Sequence, residues 1–125
     1  MDIPWKSLAL VDQDREYLAL LSYLPLNRYS KIPAFMRFSM EINKQLRATP
    51  GAMGYSMRAL LFTRRFWTLS VWEDSMALID FVAKVPHSES MKAMAPFMGK
   101  TKFTQWKVSG AAVPLQWDEA IRRMS

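Results

Sequence analysis

The amino-acid sequence predicts an α+β fold: a ferredoxin-like split βαβ sheet with helices packed on one face. Three observations carry that prediction. Strand-like and helix-like segments follow the order β-α-β-β-α-α-β-α, two aromatic strand patterns meet across the short basic turn "TRR", and a 125-residue chain that is 50% apolar can form one core. Neither a repeat nor a linker is visible, so residues 1–125 read as a single domain, with 1–15 as an N-terminal extension and 114–124 as a closing helix.

The first strand is "EYLALLSYL", Glu16 to Leu24, ended by Pro25 and the turn-prone "LNRYS". Ser30 is placed to cap the helix that follows, and Pro33 suits its first turn. Phe35, Phe38, Ile42 and Leu46 then recur at helical spacing until Pro50 and Gly51 stop the helix. "GYSMRALLF", Gly54 to Phe62, and "FWTLSVW", Phe66 to Trp72, form a hairpin. Asp74 or Ser75 starts a second helix with the apolar stripe Leu78, Phe81, Val82 and Val85. Beyond Pro86 a third helical segment places His87, Met91, Met94 and Met98 on one face and ends at Gly99. "KFTQWKV", Lys102 to Val108, is the fourth strand; after the loop "SGAAVP", "LQWDEAIRRM" is a closing amphipathic helix.

Alternation within the strands predicts how the sheet is used. Trp67, Leu69 and Val71 are expected to face the helices, with Phe66, Thr68, Ser70 and Trp72 facing away. On the preceding strand Tyr55, Met57, Ala59 and Leu61 oppose Ser56, Arg58, Leu60 and Phe62, again with apolar groups on both sides. A sheet apolar on both faces needs a second cover, supplied most simply by a two-fold homodimer whose sheets stack.

Composition excludes several chemistries. There is no cysteine, hence no disulfide, thiolate nucleophile or thiolate metal site, and the chain suits a reducing cytoplasm. One histidine is too few for a usual protein-built zinc site, so no metal is expected. The opening "MDIPWKSLALVDQDREYL" lacks the charged and apolar regions of a signal peptide, and no apolar run approaches the roughly 20 residues of a membrane span. The net charge of +6 comes from 17 basic residues scattered along the chain, with no run longer than Arg64-Arg65 or Arg122-Arg123. Nucleic acid is therefore not an expected partner; the basic excess fits a solvated surface, or attraction to an anionic small molecule or lipid.

The junction "VWEDSMALIDFV" and the ending "FTQWKVSGAAVPLQWDEAIRRM" resemble the dimeric α+β barrel superfamily that contains the antibiotic-biosynthesis monooxygenases, and within it a branch related to spheroidene monooxygenase. The positions that carry the likeness are Trp72, Leu78, Phe81, Pro86, His87, Trp106, Gly110, Pro114, Glu119 and Ala120, and it spans Glu16 to the end. It implies a pocket between helices and sheet in each subunit, where relatives bind aromatic polyketides, heme or carotenoids. On this chain that pocket would be lined by Phe35, Phe38, Trp67, Leu69, Phe81, His87 and Met91. Two departures matter. Many cofactor-independent members carry histidine where Phe81 stands, and heme-degrading members carry tryptophan there with a histidine near Met91; neither pattern is intact.

His87 follows a proline at a helix beginning, where the exposed amide dipoles disfavour an imidazolium. A neutral ring there is a candidate catalytic base, an axial heme ligand, or simply a satisfied structural residue. Trp67, Phe81 and the methionines at 91, 94 and 98 read as core or as walls of an apolar pocket, while Asn43 and Arg58 either orient a polar ligand edge or face solvent. Glu73, Asp74, Asp118 and Glu119 sit at helix starts, where the dipole explains them, and no phosphate loop or Ser/His/Asp set is present. Three functions follow from these residues: a cofactor-free monooxygenase-like enzyme on an apolar or aromatic small molecule, a heme protein ligated by His87, and a non-catalytic small-molecule-binding dimer.

Overall fold

A computed structural model of the chain describes residues 1–124. One antiparallel sheet is built from β1 (Asp2–Ser7), β2 (Glu16–Pro25), β3 (Ala52–Leu60), β4 (Arg65–Trp72) and β5 (Lys102–Ser109), in the spatial order β1-β3-β4-β2-β5. Without β1 this is the ferredoxin-like order expected of a split βαβ unit. The helices are α1 (Ile32–Arg47), α2 (Ser75–Ala83), α3 (His87–Met94) and α4 (Trp117–Met124). Asp74 starts α2, its carboxylate accepting the Ala77 N–H at 2.9 Å. Ser30 does not cap α1: a 3₁₀ turn, Tyr29–Lys31, runs directly into the helix, and Lys31 occupies the cap position.

The strand phase is the opposite of the sequence expectation. Register pairs Leu24 with Phe66, Ser22 with Thr68, Leu20 with Ser70 and Leu18 with Trp72, and it is this face that α1, α2 and α3 cover. Phe66 packs with Phe35 and Met94, and Trp72 with Leu46, Leu78 and Phe81. Trp67, Leu69 and Val71 lie on the other face. Both faces carry large apolar side chains, so alternation alone identifies two sets of residues without saying which set the helices cover.

What covers the other face also differs from the expectation. Leu21 and Leu69, both 0% exposed, pack against Trp5, Trp106, Leu115 and Trp117, with Ala120, Ile121 and Met124 of α4. The chain's own two ends thus occupy the face that the sequence pattern left to a second copy. The N-terminal stretch contributes β1, which pairs with β3. Its Trp5 ring lies so close to Gly54 that a Cβ there would meet the ring at 2.5 Å, so this position needs glycine.

Candidate functional site

Between α1–α3 and the sheet lies a cavity of about 730 Å³, within the range that holds a drug-sized ligand. Its floor follows from the β2/β4 register. Ser22 and Thr68 are direct cross-strand partners, with Ser70 two residues further on the same face. Small hydroxyl side chains there leave open the room that side chains as large as the flanking Phe66 and Trp72 would fill. The roof comes from the apolar stripe of α1, Phe35, Phe38 and Ile42, and from Met91 and Met94 of α3. Of the lining side chains, Ile79 and Phe103 are each 57% exposed and mark the mouth, between α2 and the uncovered edge strand β5.

Most of the sequence-selected residues meet here. Phe35, Phe38, Asn43, Phe81, His87 and Met91 all border the cavity. Leu69 borders it too, but its side chain packs on the opposite face with Leu21 and Ala120. Trp67 is not a wall: its ring tilts against Tyr23 at 5.2 Å, on the far side of the sheet. Arg58 is also on that side, paired with Asp2 at 3.0 Å and lying 4.9 Å from the Trp117 ring centroid. One inverted strand phase accounts for the misplacement of Trp67 and Leu69.

His87 is held at three points. Its backbone N–H donates to Gln45 Oε1 at 3.0 Å, its ring stacks at a tilt on Phe81 at 5.1 Å, and its Nδ1 lies 3.2 Å from the Val82 carbonyl. A carbonyl oxygen can only accept, so Nδ1 carries the proton. In the neutral ring Nε2 is then the nitrogen with the free lone pair. Burial holds the ring's pKa below its ordinary value, with the Val82 hydrogen bond offsetting part of that shift. The site therefore presents a neutral imidazole of fixed tautomer at neutral pH.

Gln45 was not among the sequence-selected residues. Its Nε2 donates to the Phe81 carbonyl at 3.0 Å while its Oε1 accepts from His87, so one amide of α1 ties the end of α2 to the start of α3. The available signal was a polar residue on an apolar stripe, three residues after Ile42 and seven after Phe38. Thr68 and Ser70 were passed over because they were assigned to the wrong face, and Ser22 because no face was assigned to its strand.

No lysine, arginine, aspartate or glutamate borders the cavity among the described residues. Heme would have His87 Nε2 as an axial ligand, but its two propionates would find no cation in the lining, so the residues present do not fit that group. Among the described residues there is likewise no cluster of three or more histidine, cysteine or acidic side chains that could hold a metal ion, and no helix is long and apolar enough to cross a membrane.

No family model matches the chain, and no curated protein matches it. Solved structures do. A protein from Caulobacter crescentus CB15, inferred to be an antibiotic biosynthesis monooxygenase, superposes with a TM-score of 0.65 at 17% identity over 74% of this chain and 89% of its own. SnoaB, a cofactor-independent oxygenase from Streptomyces nogalater, gives a TM-score of 0.60 at 10% identity over 74% and 92%. A conserved protein from Methanosarcina mazei Go1 gives 0.64 at 13% identity over 72% and 90%. At these identities the likeness shows a shared α+β, ferredoxin-like fold.

Proposed function

We propose that this chain, acting as one domain, is a cofactor-free monooxygenase-like enzyme for an apolar or aromatic small molecule, with His87 as its general base. The observation that carries the reading is the cavity itself. Apart from Tyr55 its lining is free of other ionisable side chains, and His87, its one imidazole, has Nδ1 committed to Val82 and Nε2 left basic. An electron-rich substrate with an acidic C–H bond would lose that proton to Nε2, and the carbanion would add dioxygen. Loss of water from the peroxide, with return of the proton, leaves a carbonyl; one O₂ is consumed per CH₂ converted to C=O. Phe35, Phe38 and Phe81 would hold the rings, Asn43 a polar edge, and exclusion of water would protect the carbanion.

The test is oxygen uptake by the colourless protein with a phenolic aromatic bearing an activated CH₂. Uptake matched one-to-one by carbonyl product is the expected result. A Soret band on hemin addition that vanishes in His87→Ala would move the protein to the heme reading. Tight binding of the aromatic without uptake would leave a binding protein.

A homodimer belongs to the same proposal. Met76, Ile79, Val82 and Val85 expose an apolar strip beside the cavity mouth, next to the unpaired edge of β5 with its exposed Phe103. A second copy there would close the mouth. Face-to-face stacking of sheets, by contrast, requires α4 to leave Leu21 and Leu69, which the second copy would then have to cover in its place. We expect sedimentation at micromolar concentration to show twice the 14.5 kDa chain mass. A single-subunit species would remove the dimer from the proposal. A cytoplasmic location suits the cysteine-free chain.

A further inference from the structure

Basic residues that are scattered in sequence are gathered by the fold at one end of the sheet. Backbone hydrogen bonds join Leu26 to Arg64, Gly99 to Pro25 and Asn27 to Phe97, each at 2.8 Å, and Tyr23 is the register partner of Lys102. The β2–α1 connection, the β3–β4 turn and the approach to β5 therefore lie side by side. They bring Arg28, Lys31, Arg64, Arg65, Lys100 and Lys102 to that end, together with the N-terminal amine, which donates to the Ala59 carbonyl at 2.9 Å. Among the described residues of these segments the one acidic side chain is Asp2, already paired with Arg58 at 3.0 Å.

In the middle of this basic end is an apolar tip. Phe62 is 93% exposed, and Leu60, Leu61 and Met1 beside it are exposed at 43%, 41% and 63%. The turn is braced: the Tyr29 hydroxyl donates to the Phe62 carbonyl, Arg64 stacks on the Tyr29 ring at 4.4 Å, and Arg64 Nε donates to the Leu26 carbonyl at 3.0 Å. Arg64 itself holds a left-handed backbone at φ 56°, which turns the chain back into β4 and leaves Phe62 at the apex. A firm turn that displays three consecutive apolar side chains in water needs something to cover them.

We propose that this end of the molecule docks on an anionic lipid bilayer, with Phe62 and its leucine neighbours entering the interface and the surrounding basic side chains meeting the head groups. Two chemistries point to the same partner. Aliphatic and aromatic groups at an apex are desolvated by acyl chains, whereas nucleic-acid phosphates offer them nothing, and a second copy would bring like charge against like. Positive side chains within a Debye length of an anionic leaflet each strengthen attachment by about fivefold.

Flotation with vesicles tests this, using phosphatidylcholine alone and phosphatidylcholine with about a quarter phosphatidylserine. The full chain should float with the anionic vesicles and not with the neutral ones, and raising the salt should release it. Phe62→Ser should weaken attachment about tenfold, from the lost apolar contact. Arg65→Gln and Lys102→Gln should each weaken it about fivefold. All three side chains are exposed, so circular dichroism should show unchanged folding. No attachment to the anionic vesicles, equal attachment to both kinds, or a Phe62→Ser protein that binds like the parent would each overturn the proposal. So would tighter, Phe62-independent binding to a random-sequence oligonucleotide, which would assign the basic end to nucleic acid.

Discussion

Replacing His87 by alanine should lower turnover of an aromatic substrate by about 10²–10⁴-fold while changing its binding little, because a positioned base contributes chiefly to the proton-transfer step. Binding is retained because the ring occupies only part of a wall shared with Phe35, Phe38, Phe81 and Met91. The pH profile gives an independent check. Nε2 must be unprotonated to act, so kcat/KM should rise with pH and level off, with an apparent pKa below the ordinary histidine value because burial favours the neutral ring. Stability follows the same sign. The folded-state pKa lies below the unfolded one, so as pH falls from about 6.5 the unfolded chain takes up the proton first. The stability held above that pH is then lost until the folded ring is also protonated. His87→Ala should lack this component in urea titrations across the range. A profile that peaks only well above pH 7, or an unchanged rate in the variant, would remove His87 from the chemistry.

Phe66→Ala should be the most damaging single core change, at about 3–5 kcal/mol. Phe66 is 0% exposed and packs its ring against Phe35 at a centroid distance of 4.3 Å, among Leu24, Leu26, Met57, Ala59 and Met94. These groups join β2, β3, β4, α1 and α3, so the void cannot close by moving one element. Against a total of about 5–15 kcal/mol for a domain, that loss leaves little margin at 37 °C. The urea midpoint should fall with little change in slope. The comparison is Phe62→Ala at the exposed turn, expected to stay within about 0.5 kcal/mol of the parent. A cost below about 1 kcal/mol at Phe66 would mean that the helices do not cover this face.

Much of the fold was legible because each element carried its own local signal. Asp74 at a helix start, Pro33 in a first turn and the aromatic, β-branched run from Phe66 to Trp72 are short-range features, and the elements from Glu16 onward appear close to their expected places. The candidate site was legible in part for the same reason. Phe35 and Phe38 lie on α1, whose apolar residues form a single stripe, so the inward direction was readable there; α2 is apolar on both sides, and Val82 and Val85 of its expected stripe are exposed while Leu78 and Phe81 point inward. Trp67, Leu69 and Arg58 lie on strands apolar on both sides, where a period of two names two faces and does not rank them. Residues 1–15 held no strong pattern, because the six residues of β1 gain their pairing from β3 and their anchoring from Trp5 on Gly54.

By itself the sequence determined the element types and order from Glu16 onward, the absence of thiol chemistry and the presence of one histidine at a helix start. Tertiary structure decided which sheet face floors the cavity, that the chain's own ends cover the other, which nitrogen of His87 carries the proton, and that dispersed basic residues meet around Phe62. The division has a physical cause. Helix caps, turns and periodicity are set by neighbours a few residues away, whereas face choice, tautomer and charge clustering depend on groups tens of residues apart, brought together only when the sheet forms.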